Sequence, residues 1–500
     1  MMKRARYIAA ATAMMLAACG SKSRAVNDGA AVIDGVVDVI PDTGSAGPIV
    51  HTFDLATRIP PHLAIMFTMS WFGIPAADPQ GSGPDSGYGD TVWGGSCVPI
   101  NNAATCTTCI LKGANNACLD NSGPPQRDTA SRRKMLAGIY SASGLDVEGR
   151  RRIDLMLSQV RRPCDDGAKL DAWTMQMNGT RDTPAHPENP PCETCTIAYN
   201  AALAFLGEAD ASGMTNVVIP GVDATWYFHF GSNKGLGTCD DTTGNPKQSC
   251  IDALTQDFVD MSNMSAAHPS ALKLNGKPVL YAYFDPSYLT AAQWQSLFQN
   301  ARNQSGRDFY VVATTQNATH TEDFGAFDGL APWLQLGTWT NTTGATVRAH
   351  AYNWAAALHD PLVNALASYP GRVVLAGMTP GFDDYTMSWG GCIERQLPPG
   401  DPRDPSLLLG EFDYFKAKSM TALVGETWDD WTEGSHFEPD VAGQTSVLIA
   451  MRQQLGALFG EPADPTGDQR LTTQWTTYGQ ARNCSSNPMV LPPVTKLSCP

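Results

Sequence analysis

Positive charge is scarce in this chain of 500 residues, which carries 34 Lys and Arg against 49 Asp and Glu and has a formal net charge of −15. Phosphate binding needs clustered basic side chains, and the sequence contains no basic stripe. We therefore expect no nucleic acid partner. After the N-terminus no apolar run is long enough to span a membrane.

The motifs of several other chemistries are also missing. The nine histidines show neither His-x-x-x-His nor His-Glu-x-x-His, so we expect no metal. The nucleophile elbow Gly-x-Ser-x-Gly is absent, which disfavours a serine esterase. No glycine-rich phosphate loop follows the first predicted strand, and no solenoid repeat is visible. The sequence therefore predicts a protein that needs no cofactor.

The N-terminus has the pattern of an export signal. Three basic residues precede the apolar run Tyr7–Met15, and Leu-Ala-Ala-Cys ends at Cys19. This pattern predicts a signal peptide over residues 1–18. Its ending resembles a bacterial lipobox, which implies cleavage before Cys19 and a lipid on its thiol; an ordinary signal peptide is the alternative. Residues 19–50 predict a flexible tether. We expect an exported protein, anchored by lipid alone at the outer membrane or cell surface.

The cysteine content fits an oxidising compartment. Of thirteen cysteines, twelve remain if Cys19 carries lipid, an even number that suits disulfides. Zinc is the alternative for the two Cys-x-x-Cys pairs, Cys106/Cys109 and Cys192/Cys195. Cys239/Cys250 and Cys484/Cys499 are spaced for local bridges.

Eight short apolar or β-branched runs follow His62, and most are separated by segments with helical spacing. The runs are Leu63–Trp71, Leu170–Met177, Asn216–Val222, Pro278–Phe284, Phe309–Thr314, Leu330–Leu336, Val373–Met378 and Ala422–Thr427. Alternating strands and helices predict an α/β fold, a (β/α)8 TIM barrel over residues 51–463. A doubly wound open sheet is the alternative. The connection between the fifth and sixth runs is short, and its helix is the least defined.

The candidate helices lie between these runs and after the last one. They are Glu148–Val160, Ile197–Ala211, Ile251–Met264, Ala291–Ala301, Trp354–Ser368, Leu407–Lys418 and Val447–Phe459. Residues 74–144 form a Cys-rich insertion after the first strand, which a barrel would place on its catalytic face as a cap or lid. Residues 464–500 predict an ordered wrap rather than a domain.

Polar and aromatic residues follow several predicted strands. Because the carboxyl ends of barrel strands converge on one pocket, these residues are candidate ligands for a substrate. The main candidates are Asp223, Trp226, Tyr283 and Asp285; Ser70, Trp71, Gln176, Asn178, Trp339, Asp383, Asp384 and Trp389 occupy similar positions. Asp223 and Asp285 could instead cap the following helices, and Asp285 before Pro286 also suits a turn.

The eighth run leads into a dense acidic and aromatic stretch. Asp430 and Glu433 lie three residues apart with Trp431 between them, and His436 follows. Glycoside hydrolysis uses two carboxyl groups, and an aromatic face stacks on a sugar. Asp-x-x-Glu is also a capping box, with Asp430 as the N-cap. His436 would either orient a carboxylate or contact the sugar.

This stretch resembles known families. Residues 427–436 resemble the Thr-Trp-Asn-Asp-Tyr-Gly-Glu-Ser-His signature of glycoside hydrolase family 71, the α-1,3-glucanases, and the Asn-Glu-Trp-x-Glu-Gly signature of family 99 endo-α-mannosidases and WbsX-type proteins. Residues 170–173, 216–223 and 276–281 are similar to further family stretches. Asp429 departs from the usual Asn, and residues 432–434 depart from Gly-Glu-Ser. The resemblance implies catalysis by Asp430 and Glu433, with Glu433 as the general acid.

We therefore expect a glycoside hydrolase that cleaves an α-linked polysaccharide, with an endo-α-1,3-glucanase as the first choice. Trp226, Tyr283 and Trp431 would flank the sugar, and Asp223 and Asp285 would bind its hydroxyl groups. An α-mannan-active enzyme and a non-catalytic surface glycan-binding lipoprotein are the alternatives. No oligomeric state follows from the sequence.

Overall fold

The computed structural model describes residues 48–69, 147–161, 167–177, 179, 193–225, 239, 245–333, 344–381, 405–429, 435–439 and 445–481. The predicted signal peptide, Cys19, most of the tether and the insertion 74–144 with Cys106 and Cys109 lie outside these ranges, as do Cys192 and Cys484/Cys499. Cys195 lies in a described helix, but neither Cys-x-x-Cys pair is described whole. The predicted Cys239–Cys250 disulfide is confirmed.

Eight parallel strands surround the centre of the molecule. They are β1 (Leu63–Thr68), β2 (Ala172–Met177), β3 (Val218–Asp223), β4 (Lys277–Phe284), β5 (Tyr310–Thr315), β6 (Gly329–Pro332), β7 (Val373–Val374 and Ala376–Met378) and β8 (Ala422–Gly425). Each pairs in parallel with its sequence neighbours, and β8 also pairs with β1, with Leu63 opposite Ala422. The strand Lys273–Leu274 pairs antiparallel with the start of β4.

The ring is completed by the two halves of β7. Its first half pairs with β6, through Gly329 opposite Val373, and its second half pairs with β8, through Ala376 opposite Leu423. Between the halves, the Leu375 amide donates to the carbonyl of Leu330 over 2.9 Å. The predicted (β/α)8 barrel is thus confirmed, and the open sheet is excluded.

Helices cover the outside of the ring. They are α1 (Val147–Leu157), α2 (Glu193–Ala211), α3 (Gln248–Ala267), α4 (Ala291–Ser305), α5 (Gly344–Ala365), α6 (Ser406–Ala417), α7 (Ser446–Leu458) and α8 (Pro465–Ala481). The short connection between β5 and β6 holds only the 3-10 helix Thr321–Gly325. Within the described residues no helix has the length and apolar character that crossing a membrane requires.

Local sequence signals set the ends of α4. The Thr290 side chain accepts from the amide of Gln293, whose own side chain accepts from the Thr290 amide, so a capping box begins the helix. Gly306 ends it with φ of 65°, a left-handed conformation that glycine adopts without steric cost. α4 therefore begins at the predicted residue and runs four residues beyond the predicted Ala301.

Two apolar layers follow from the alternation of side chains along each strand. Ile65, Phe67 and Val424 belong to the cluster inside the barrel, whereas Ala64 and Leu423 belong to the cluster between strands and helices. Alternate residues of one strand therefore face the barrel axis. This register decides which strand-end side chains enter the pocket.

The N-terminal segment fastens to the face of the barrel opposite the strand ends. His51 contacts Asp308 over 2.7 Å and Asp328 over 2.9 Å, and these aspartates precede β5 and β6. The fully buried Leu55 packs against the interior cluster from the same side. The chain thus enters the barrel at its amino-terminal face.

The predicted C-terminal wrap contains a helix that the sequence analysis did not assign. α8 buries Leu471 and Trp475, which lie one helical turn apart. Trp475 packs against Trp428, with ring centroids 5.8 Å apart. The tail therefore supports the segment that follows β8.

Candidate functional site

The carboxyl end of β3 places Asp223 at the mouth of the barrel. Ile219 faces the interior, so the alternation along the strand turns Asp223 to the same side. The Gln176 amide of β2 donates to Asp223 Oδ2 over 2.7 Å, and the Thr225 amide donates to Oδ1 over 2.9 Å. Asp223 is only 4% exposed. Asp223 thus caps the turn after β3 and also lies at the mouth. The sequence analysis had given these two positions, a cap and a substrate ligand, as alternatives.

Three aromatic rings line the interior near the mouth. Tyr283 at the end of β4 meets Trp333 edge to face at 5.0 Å, and Phe67 of β1 lies 6.4 Å from Trp333. The Tyr283 hydroxyl accepts from the Gln316 amide over 2.8 Å. Amphipathic rings held in this way are suited to contact with a sugar face. Tyr283 was predicted at the mouth, whereas Trp333 was not singled out.

A buried carboxylate lies one residue beyond β8. Glu426 is 1% exposed, and its Oε1 accepts from the Thr314 hydroxyl over 2.8 Å. The Thr314 hydroxyl has one proton, and Glu426 receives it. The Tyr281 hydroxyl must therefore donate in its own close contact with Thr314. This Tyr281–Thr314–Glu426 chain joins β4, β5 and β8 across the barrel.

The surroundings of Tyr281 show how strongly this layer is shielded from water. Burial raises the pKa of Tyr281 well above its usual value, and the negative charges of Glu426 and Asp223 raise it further. A tyrosine in this position stays protonated and donates its hydrogen bond. The sequence analysis did not single out Glu426, a buried carboxylate inside the barrel that also contains Tyr283 and Trp333.

The main chain stays fixed in the barrel wall after β8 ends. The Glu426 amide donates to Met378 of β7 over 2.8 Å, and the Trp428 amide donates to Phe67 of β1 over 2.7 Å. The chain therefore continues between its two neighbours up to Trp428. This places the start of the acidic stretch at the mouth.

The far side of that stretch returns to the same place. The Thr427 amide donates to Ser435 over 3.0 Å, and the Phe437 amide donates to Thr427 over 2.9 Å. The Glu438 amide donates to the carbonyl of Trp428, also over 2.9 Å. Residues 430–434 themselves lie outside the described ranges, so the predicted roles of Asp430, Trp431 and Glu433 stay predictions. Both flanks of the segment are bonded together at the end of β8.

The fully buried residues of the stretch include a tryptophan and the histidine. Trp428 lies between Trp173 and Trp475, with a centroid distance of 5.0 Å to Trp173. His436 is 0% exposed, which favours an orienting role over direct contact with sugar. The next described helix, α7, begins at Ser446 with Thr445 as its N-cap. The aromatic and histidine side chains thus form the support of the segment.

The other predicted substrate ligands have different outcomes. Asp285 is partly exposed, and its Oδ1 accepts from the Ser287 amide over 2.8 Å, which favours the turn interpretation. Trp226 lies outside the described residues, as do Trp339, Asp383, Asp384 and Trp389. In the described part of the chain, no group of three or more His, Cys, Asp or Glu could hold a metal ion. The absence of a metal stays a prediction for the whole chain.

Comparison with known proteins finds similarity at the level of structure. The chain matches no family model and no curated protein sequence. It is similar to the GH99 endo-α-mannosidase from Bacteroides thetaiotaomicron, with a TM-score of 0.50 and 14% identity, covering 81% of this chain and 100% of that one. The common feature is the (β/α)8 barrel. A glycoside hydrolase-like protein has a TM-score of 0.47 and 13% identity, over 66% of this chain and 90% of that one. At 14% identity, the likeness to the first of these structures establishes the fold alone.

Proposed function

We propose that this chain is a glycoside hydrolase that cleaves an α-linked polysaccharide at the mouth of the barrel. The observation that carries the proposal is the anchoring of residues 427–428 and 435–438 to each other at the end of β8. In a (β/α)8 barrel this end of the strands is where catalytic groups are mounted. The segment between these anchors contains Asp430 and Glu433.

The proposed chemistry divides between the two acidic residues. Glu433 protonates the glycosidic oxygen, and Asp430 activates water or assists attack at the anomeric carbon. Tyr283, together with Trp431 and Trp226, flanks the sugar. Asp223, held by the Gln176 amide, accepts hydrogen bonds from sugar hydroxyl groups.

The proposed substrate is an α-mannan, with α-1,3-glucan as the second candidate. Two features support these choices: the barrel is similar to that of an endo-α-mannosidase, and residues 427–436 resemble the signatures of both enzyme families. Release of reducing sugar from the two polysaccharides, measured side by side, ranks them. A third outcome is binding of glycan by the wild-type protein without any release, which would assign a glycan-binding function.

The acid and base roles are tested by two isosteric changes. Glu433→Gln and Asp430→Asn should each lower the rate of hydrolysis by about 10²–10⁴-fold, because each removes a proton donor or acceptor. Glu322→Gln serves as the control, since that side chain is 61% exposed and lies on the 3-10 helix between β5 and β6. If either site variant keeps wild-type activity, the assigned pair is wrong.

We also propose that the protein is held at the cell envelope through a lipid on Cys19. The N-terminal segment meets the barrel at the face opposite the mouth, where His51 contacts Asp308 and Asp328. Attachment of the tether at that face leaves the mouth accessible to a polysaccharide. Cys19→Ala should move the protein from the membrane fraction to the soluble one, and retention in the membrane would contradict the anchor.

A further inference from the structure

One arginine contacts both sides of the acidic segment. Arg152 lies on α1 and is 6% exposed. Its Nη2 donates to Asp429 Oδ2 over 2.7 Å, and its Nε lies 3.7 Å from Glu438 Oε1. The side chains of Asp429 and Glu438 are both 0% exposed. A single guanidinium group therefore faces two buried carboxylates that stand before and after residues 430–434.

The second oxygen of Asp429 links this contact to the barrel. Asp429 Oδ1 accepts from the Met69 amide, directly after β1, over 2.7 Å. Asp429 thus joins the end of β1, the chain after β8 and helix α1. Because Asp429 is bonded covalently to residue 430, its position sets where the acidic segment begins.

We propose that Arg152 is a positioning residue that fixes the acidic segment by binding Asp429 and Glu438 together. This inference rests on the proposed function for its catalytic consequence. Arg152 places a positive charge between these two buried carboxylates, and loss of that charge would leave their mutual repulsion in a poorly hydrated site. The planar guanidinium group supplies several donors in a fixed arrangement, which a lysine ammonium group does not reproduce. Removal of Arg152 should therefore displace both flanks of the segment.

The catalytic consequence is tested by the kinetics of α-mannan hydrolysis. Arg152→Met should lower kcat by about 100-fold with little change in KM, because small displacements of catalytic groups cost about this much. The double variant Arg152→Met/Asp429→Asn should recover at least part of the lost kcat. The side-chain oxygen of the asparagine can still accept from the Met69 amide, and the asparagine adds no second buried charge beside Glu438. Arg152→Lys should lie between wild type and Arg152→Met.

A matched control separates positioning from general stability. Arg348 of α5 forms a comparable pair with Asp413 over 2.6 Å, but both side chains are substantially exposed. Arg348→Met should leave kcat per folded molecule unchanged. If Arg152→Met lowers the unfolding temperature alone and keeps the wild-type kcat per folded molecule, the positioning role is overturned.

A second measurement does not depend on hydrolysis. The amides of Thr427, Phe437 and Glu438 make the backbone bonds that close the segment, so their hydrogen exchange should accelerate at least tenfold in Arg152→Lys. The Tyr281 amide in β4 should exchange at the wild-type rate. Unchanged protection at the three amides would overturn the inference. If the wild-type protein hydrolyses neither polysaccharide but Arg152→Lys still exchanges faster at these amides, the positioning role of Arg152 stands and only the proposed function is lost.

Discussion

The histidine that joins α5 to β7 should make the protein acid-sensitive. His359 is fully buried, its Nδ1 donates to the Ala355 carbonyl over 2.7 Å, and its Nε2 accepts from the Gly377 amide over 2.9 Å. These bonds require the neutral ring. A proton on Nε2 would place two donors opposite each other, so protonation breaks the link to the strand beside β8.

The magnitude follows from the pKa of this ring. Burial lowers the pKa of His359 from 6.5 to about 4, and the bond to Ala355 offsets only part of this effect. Because the unfolded chain binds a proton more readily, the stabilisation is present above pH 6.5 and is lost as the pH falls towards 4. One pKa unit corresponds to about 1.4 kcal/mol, so the loss approaches about 3 kcal/mol.

Urea unfolding between pH 7.5 and 3.5 measures this loss. Carboxylates also titrate in that range, so the decisive quantity is the difference between wild type and His359→Gln. The glutamine oxygen can accept from the Gly377 amide but does not titrate. Between pH 7.5 and 3.5 the free energy of unfolding of wild type should therefore fall by about 3 kcal/mol more than that of His359→Gln. Parallel profiles for the two proteins would refute the reasoning.

Four further substitutions test other parts of the fold. Burial opposes a charge on His51, but its bonds to two aspartates raise its pKa above 6.5. The stabilisation by the charged ring is therefore present below pH 6.5 and is lost as the pH rises through the raised pKa. His51→Gln should flatten the alkaline limb of a plot of unfolding free energy against pH. A Cβ at Gly410 would lie 2.1 Å from a carbonyl oxygen of α5, so Gly410→Ala should destabilise the protein by about 1–3 kcal/mol. A Cβ at Gly207 in α2 would meet no atom within 4 Å, so Gly207→Ala should stabilise the protein by about 0.5–1 kcal/mol. Urea unfolding measures both changes. The Cys239–Cys250 bridge closes a loop with a separation of 11 residues, so Cys250→Ser should lower the free energy of unfolding by about 3 kcal/mol and match the reduced wild type. A variant as stable as the oxidised wild type would contradict this prediction.

Most of the barrel could be predicted because its signal is local. Strand β4, for example, is hydrophobic and buried from Pro278 to Phe284, as expected where both faces of a strand are covered. The division of β7 could not be predicted, since Val373–Met378 is continuous in sequence and only the geometry of the ring shows that its halves pair with different neighbours.

The helix in the C-terminal tail had a sequence signal that its composition hid. Pro465 suits the first turn of a helix, and Leu471 and Trp475 lie on one side of it. The threonines of this segment have low helix propensity, and the segment was therefore predicted as an ordered wrap without an assigned helix. In the structure, Thr472 and Thr476 donate their hydroxyl protons to carbonyls four residues earlier, so these side chains fit the helix.

The candidate site was predictable where a residue follows a strand and was missed where register decides. Asp223 and Tyr283 were found by position alone. Trp333 lies two residues beyond the inward Ala331, and Glu426 lies two beyond the inward Val424. Following the alternation of side chains within the predicted runs Leu330–Leu336 and Ala422–Thr427 would have identified both. The Arg152 contact could not be found in this way, because α1 and the chain after β8 meet only in the folded barrel.

The charge of the mouth agrees with the proposed chemistry better than with phosphate or nucleotide chemistry. In the described part of the barrel, Asp223 and Glu426 are buried on the inner side of the ring, and the Gln176, Thr225 and Thr314 groups that donate to them are neutral. These two carboxylates would repel a phosphate group brought close to them in a poorly hydrated environment. A neutral sugar carries no such cost. Its oxocarbenium-like transition state develops positive charge, which fixed carboxylates stabilise more strongly than they do the ground state.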